Sequence, residues 1–298
     1  MLFMSRCFLK LFRSLLFIPG NQVKMLQKAS TFLPDVYIPD LEDSVSINHK
    51  IDARQIVSEN LILFRNSGRL VIPRVNSIES GLFESDISSL ISKGIDGISI
   101  GKINTPEDIM EIDRCITKYE MEFNIEKGST VLIPWIESAS AIINSTEILK
   151  SSKRIVAAAF GAEDFTHDMG IERLSDDTEI QFAKNYLSVS AKALNIIALD
   201  NPYFDFKNSL GLIENSIKSK NIGYKGKFAI HPAQIDAINK SFSPTKHEIE
   251  RAEEIISVFQ ESVSRGRGST SLNGQVIDVP VFKRATALIE LANKMKVN

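Results

Sequence analysis

Short runs of β-branched and aromatic residues recur eight times along this chain, each closed by a turn signal. They are Ser14 to Ile18, Asp35 to Ile38, Arg69 to Ile72, Ile95 to Ile100, Thr130 to Trp135, Arg154 to Phe160, Asn195 to Leu199 and Lys227 to Ile230. Helical periodicity fills the intervals, as over residues 139–149 and 179–194, and the strand starts lie roughly 20 to 40 residues apart, the length of a β/α unit. Eight parallel strands separated by helices close into a (β/α)8 TIM barrel. The alternative is an open doubly wound sheet, whose nucleotide-binding form carries GxGxxG after the first strand; here the first run ends only in FIPGNQ.

After Ala237 the composition changes, which divides the chain into a barrel over residues 1–240 and a C-terminal extension over 241–298. The extension opens with a capped helix, SPTKHEIERAEEIISVFQES, continues through the flexible RGRGSTSLNGQVIDVP, and ends in a helix reaching Lys294. Asn273-Gly274, set between two short polar-apolar runs, is a type I′ hairpin signal.

The 298 residues are 43% hydrophobic, enough for a large core, and the formal charge of −2 offers no global field for nucleic acid, so the expected substrate is small. Cys7 and Cys115 are far apart with no CxxC or Cys/His spacing, which fits a reducing compartment and leaves oxygen donors for any metal. No window of about 18 uncharged apolar residues exists, which excludes a membrane span. The N-terminus, MLFMSRCFLKLFRSLLFIPG, is apolar and basic without an acid, as a targeting signal is, but Arg6, Lys10 and Arg13 break the run and no small-residue cleavage site follows. A cytoplasmic location is expected, with the mitochondrial matrix as the alternative.

In a barrel the active site lies at the C-terminal ends of the strands. Five of the eight predicted strands run into polar or charged residues there: Asp40-Leu41-Glu42-Asp43, Arg74-Val75-Asn76, Lys102, Glu137 and Glu163-Asp164. Glu137 and Asp164 are 27 residues apart, one strand-helix repeat, so they project from adjacent strand ends. Two carboxylates converging in a partly dry mouth repel unless a proton or a cation intervenes, and hard oxygen donors suit Mg²⁺. The competing reading, equally open from spacing alone, has them solvated or paired with Lys102 or Arg74. Asp278 by itself reads as an ordinary strand-end aspartate, and His231, between a strand and Pro232, as a hydrogen-bonding residue.

RSLLFIPGNQVKMLQKA, DLEDSVSINHKIDAR, RVNSIESG, PWIESASAIIN, FGAEDF, GYKGKFAIHPAQI and NGQVIDVP occur in this order. Together they resemble the HpcH/HpaI aldolase and citrate lyase β-subunit family over residues 13 to about 295. The likeness is to its CoA-ester lyase branch: malyl-CoA, citramalyl-CoA and citryl-CoA lyases and citrate-lyase-β-like proteins. The resemblance implies that Glu137 and Asp164 ligate Mg²⁺, that Arg74 anchors keto-acid and carbonyl oxygens, and that Glu42 and Asp43 hold Arg74 or metal-bound waters. It places Phe17 and Lys28 against CoA, with Lys24 compensating for Gln22, where some malyl-CoA lyases have arginine. It leaves Glu163 as a solvated neighbour or an aid to charge balance. Gly101 stands where the family commonly has Pro and Ala141 where it has Gly, changes expected to alter substrate size. The extension is implied to be a lid over a neighbouring subunit of a homotrimer or hexamer, with Asp278 as the acid/base it delivers.

The implied activity is a Mg²⁺-dependent carbon–carbon lyase that cleaves, or forms, a β-hydroxyacyl-CoA from acetyl-CoA and a 2-keto acid. Its partners are then an acyl-CoA and a 2-keto acid, with no nucleic acid and no membrane. Two alternatives stand beside it: a citrate lyase β subunit working on an acyl-carrier-protein thioester, and a non-catalytic barrel kept as an interaction subunit.

Overall fold

The structure, a computed structural model, describes residues 11–297. The basic N-terminal segment weighed as a targeting signal therefore lies, through Lys10, outside the described residues, as does Cys7. The later half of that apolar stretch, Ser14–Pro19, is the first barrel strand, so its hydrophobicity belongs to the core.

Nine strand segments form one parallel sheet: β1 Ser14–Pro19, β2 Val36–Asp40, β3 Leu70–Val71, β4 Arg74–Val75, β5 Gly97–Ile100, β6 Val131–Ile136, β7 Ala157–Phe160, β8 Ile197–Asp200 and β9 Gly226–Ala229. β1 pairs with both β2 and β9, which closes the sheet into a barrel. β3 and β4 are two pieces of one stave. Pro73 between them has no N–H to donate, yet its carbonyl still accepts from the Ser99 N–H at 2.9 Å. All eight predicted strands are present, with no end displaced by more than three residues. The helix expected over 139–149 is two, Ala139–Ile143 and Ser145–Lys150, because Asn144 leaves helical geometry between them.

Both faces of the sheet are covered, so the strands read as near-continuous apolar runs instead of alternating with polar residues. The two-residue period still sorts them. Leu15, Val36, Ile38, Leu70, Ile72, Val131, Ile133, Trp135, Ala157, Ala159, Leu199 and Phe228 fill the barrel, while Leu16, Ile18, Tyr37, Ile98, Leu132, Ala158 and Phe160 face the helices. Small alanines on β7 leave room for Trp135 and Phe228, whose rings lie 4.5 Å apart, with Phe17 5.1 Å from Phe228. This aromatic layer, each pair worth about 0.5–1.5 kcal/mol beyond its area, floors the mouth.

The extension folds mainly on itself. Its helix Lys246–Ser264 begins at Thr245, whose capping box with Glu248 places the cap two residues beyond Ser243. Phe259 stacks on Phe282 of the last helix, Val279–Val297, at 4.8 Å. The hairpin of β10 Thr270–Leu272 and β11 Gln275–Ile277 turns at Asn273 (φ 51°) and Gly274 (φ 79°), both left-handed as a type I′ turn demands. No helix among the described residues is long and apolar enough to cross a membrane.

Candidate active site

Continuing the inward period past the strand ends puts Asp40, Arg74, Gly101, Glu137, Gly161, Asn201 and Ile230 at the top of the barrel interior, two residues beyond Ile38, Ile72, Ser99, Trp135, Ala159, Leu199 and Phe228. The mouth is built from these positions. Its cavity of about 290 Å³ is lined by Phe17, Arg74, Trp135, Glu137, Asp164 and Asn201 among others.

Two glycines make room for Glu137. A Cβ on Gly161 would stand 2.3 Å from Glu137 Oε2, and one on Gly101 2.8 Å from Oε1. Any side chain at 161 would displace the carboxylate, which is why glycine follows AAAF. Glu137 is only 8% exposed, and Oε1 accepts the backbone N–H of Lys102 at 2.6 Å. Lys102 adopts φ 60° to make that bond, a left-handed conformation costly for a residue with a Cβ. Burial, and then the charge of Asp164, push the Glu137 carboxyl up to about 8. Asp164 lies in the first turn of the helix Ala162–Met169, which Gly161 precedes, and is itself raised, first by partial desolvation and then by Asp43.

Arg74 is locked in place. Its Nε and Nη2 donate to the two carboxylate oxygens of Asp40, each at 2.7 Å, and Nη1 lies 2.9 Å from both Glu42 and Asp43. The guanidinium sits over the Phe17 ring, 4.6 Å from its centroid. Burial opposes the charge, but Asp40 outweighs it and keeps Arg74 ionised. Asp40, buried to 1% exposure, is lowered in turn: Arg74 overcomes the burial penalty. Glu42 is pushed up to about 7, mainly by burial and against the pull of Arg74. Its backbone carbonyl and that of Leu41 accept from the buried Lys50 ammonium at 2.6 and 2.8 Å.

The structure thus gathers Arg74, Glu42, Asp43, Glu137, Asp164 and Phe17 at one mouth. Lys28 lines a separate cleft of about 760 Å³ with Leu16, Met25, Phe32 and Asp236, which meets the mouth at Phe17 and Ile230. Asp278 is not among the residues lining either cavity; its carboxylate caps the last helix through the Val281 N–H at 3.1 Å. Glu163 also lines the mouth, but its carboxylate is paired with Arg173 at 3.0 Å. His231 accepts from the Ala233 N–H through Nδ1 and stacks on Phe206. The sequence reading set Asp40 at the mouth but gave it no role, although it is the bidentate partner of Arg74, and did not name Asn201. Counting the inward period two residues past Ile38 and Leu199 would have found both.

Among the described residues no three His, Cys, Asp or Glu side chains enclose a metal position. What the mouth offers is a carboxylate pair with an open side. A closed parallel barrel with such a pair and a fixed arginine at its C-terminal mouth has the layout of an enzyme site, and it is kinship that makes the class a carbon–carbon lyase. The profile of the HpcH/HpaI aldolase/citrate lyase family matches residues 13–232, and the chain belongs to that family.

The citrate lyase subunit beta of Leuconostoc mesenteroides subsp. cremoris is 34% identical over 284 residues, covering 95% of this chain and 94% of the relative. The mitochondrial citramalyl-CoA lyase of Rattus norvegicus is 30% identical over 294 residues, covering 95% and 87%. Among solved structures, the protein CitE from Mycobacterium tuberculosis, in complex with magnesium, acetoacetate and coenzyme A, superposes with a TM-score of 0.78 at 22% identity, covering 94% of this chain and 97% of that one.

Proposed function

We propose that this chain cleaves a β-hydroxyacyl-CoA into acetyl-CoA and a 2-keto acid, or joins the two in reverse, with Mg²⁺ held by Glu137 and Asp164. The observation that carries the reading is the carboxylate pair. Glu137 is raised to about 8, and among the described residues no side-chain cation pairs with it. Mg²⁺ takes one or two carboxylates and retains several waters, so a two-carboxylate mouth fits it. When bound it supplies positive charge that polarises the hydroxy-acid oxygens and lowers the hydroxyl pKa. The magnesium complexes of the M. tuberculosis protein, with acetoacetate and coenzyme A or with oxaloacetate, support the same set of ligands here.

Arg74 lies desolvated above Phe17 with one edge fixed by Asp40, so it meets a substrate carboxylate or an enolate without reorganising. Glu42 and Asp43 hold its remaining nitrogen. The Phe17–Lys28 cleft, apolar along Leu16, Met25 and Phe32, takes the pantetheine arm, and the Lys28 ammonium a phosphate. Asp278 protonates the enolate carbon, or in reverse removes the methyl proton, from a neighbouring copy in a trimer or hexamer. A lid from that copy keeps water from the enolate.

The test is a panel of malyl-, citramalyl- and citryl-CoA, and of acetyl-CoA with glyoxylate, pyruvate or oxaloacetate, each with and without Mg²⁺. Turnover of none of them in the presence of Mg²⁺ ends the proposal. Mixing Asp278→Ala with Asp164→Asn under demonstrated subunit exchange should return some activity, because one chain then supplies the barrel and the other the lid. Exchange without recovery removes Asp278 from this role.

A further inference from the structure

The last inward position of β8's stave is occupied by a polar side chain that the proposed chemistry does not use. Asn201 follows Asp200 and lines the mouth with Arg74, Trp135, Glu137 and Asp164, yet it is only 3% exposed. Its Nδ2 donates to the Pro202 carbonyl at 3.0 Å. That bond fixes the orientation of the amide, because rotating it would set Oδ1 against another acceptor. Oδ1 is left buried without a hydrogen-bond partner. An orphaned buried acceptor costs stability, and an apolar side chain of the same size would avoid the penalty. The two neighbouring inward positions, Gly161 and Ile230, carry no hydrogen-bonding side chain that could supply the donor.

We propose that Asn201 is a substrate-binding residue whose Oδ1 accepts a hydrogen bond from a donor on the acyl thioester; this rests on the function proposed above. The carboxylates and carbonyls of such a substrate are acceptors and cannot fill the role. Its donors are the β-hydroxyl and, on the pantetheine arm, the two amide N–H groups and the pantoyl hydroxyl. The hydroxyl is what distinguishes a β-hydroxyacyl thioester from its acetyl product, so a bond to it would help select the cleavage substrate. Sites built to hydrogen-bond one group discriminate strongly against ligands that lack it, because the buried partner is then left unpaired.

The experiment compares wild type with Asn201→Leu, which keeps the branched shape and removes the acceptor, and with Asn201→Ala in case the bulkier leucine does not fit. Without ligand, at least one variant should melt no lower than wild type. With the CoA ester that wild type cleaves best, KM should rise about tenfold, the worth of one buried hydrogen bond. Acetyl-CoA binding, measured by calorimetry, separates the donors: weakening of both ligands assigns the arm, and weakening of the hydroxyacyl ester alone assigns the hydroxyl. A KM within twofold of wild type overturns the proposal. So does a fall in melting temperature by several degrees in both variants, which would mean that an internal water satisfies Oδ1. If wild type itself turns over no ester and binds no acetyl-CoA, it is the proposed function that fails.

Discussion

Glu137 and Asp200 are acids at the C-terminal ends of barrel strands, both almost inaccessible, and the protein treats them oppositely. Asp200 is fully buried between the sheet and its helices. It accepts from Lys227 at 2.5 Å and Ser219 at 2.6 Å, and Lys184 lies 2.6 Å from its other oxygen. Although burial alone would raise it, the two lysines hold its carboxyl at about 2. Glu137, turned inward, accepts a backbone N–H, pairs with no side-chain cation among the described residues, and is pushed up to about 8. Under the proposed function, the difference is that between a structural acid and one awaiting a ligand. Where the acid serves the fold, the chain brings its own counter-charge; where it serves chemistry, the charge is left to come from outside.

The widest gap should appear in Asp200→Asn, which strands two buried ammonium groups. We expect about 3–5 kcal/mol of lost stability in denaturant melts. A loss under about 1 kcal/mol would mean that the lysines are satisfied without it. Next comes the dependence on pH, where the two acids carry opposite signs. The contribution of Asp200 is present above its ordinary value of 3.8 and is lost as pH falls through about 2. That of Glu137 in the metal-free protein is complete below 4.5 and is lost as pH rises through about 8.

Glu137→Gln should therefore remove that decline between pH 4.5 and about 8 and weaken Mg²⁺ binding roughly a hundredfold. Wild-type Mg²⁺ affinity should climb by up to about tenfold per pH unit below 8, with a proton released on binding. Calorimetry in buffers of different ionisation enthalpy checks both, and affinity that is flat from pH 6 to 8 would contradict the assignment of the proton.

Arg74→Lys keeps the charge but loses the two-pronged bond to Asp40. Turnover efficiency should fall at least tenfold, about 1.4 kcal/mol, and near-normal kinetics would make the fork dispensable. The smallest effect belongs to Glu163→Gln. Its exposed pair with Arg173 is worth about 0–1 kcal/mol, so Mg²⁺ affinity should stay within about threefold. A larger loss would place Glu163 among the metal's own partners.

Much of this was legible in the order of residues. Short β-branched and aromatic runs separated by helical stretches gave the barrel, because strand propensity and unit length are local properties that the chain carries openly. Asn273-Gly274 fixed a turn for the same reason: both φ values must be positive, and few residue pairs accept that. The acids of PWIES and FGAEDF could be placed at one mouth because β/α repeats bring strand ends together. Within DLED, however, three carboxylates look alike in sequence. Only the inward period of β2 singles out Asp40 as the partner of Arg74, leaving Glu42 and Asp43 to share Nη1.

What the sequence could not decide is which charges meet. Asp200 and Asn201 are neighbours in the chain, yet one points outward to Lys184 and Lys227 and the other inward to the mouth. Lys102 is drawn as a mouth cation in one dimension, but in three its backbone N–H binds Glu137 while its ammonium lies 3.6 Å from Glu42. The physical reason is that alternation and propensity act between near neighbours, whereas the energy of a buried charge depends on groups many residues away that closure of the barrel alone brings within a few ångströms.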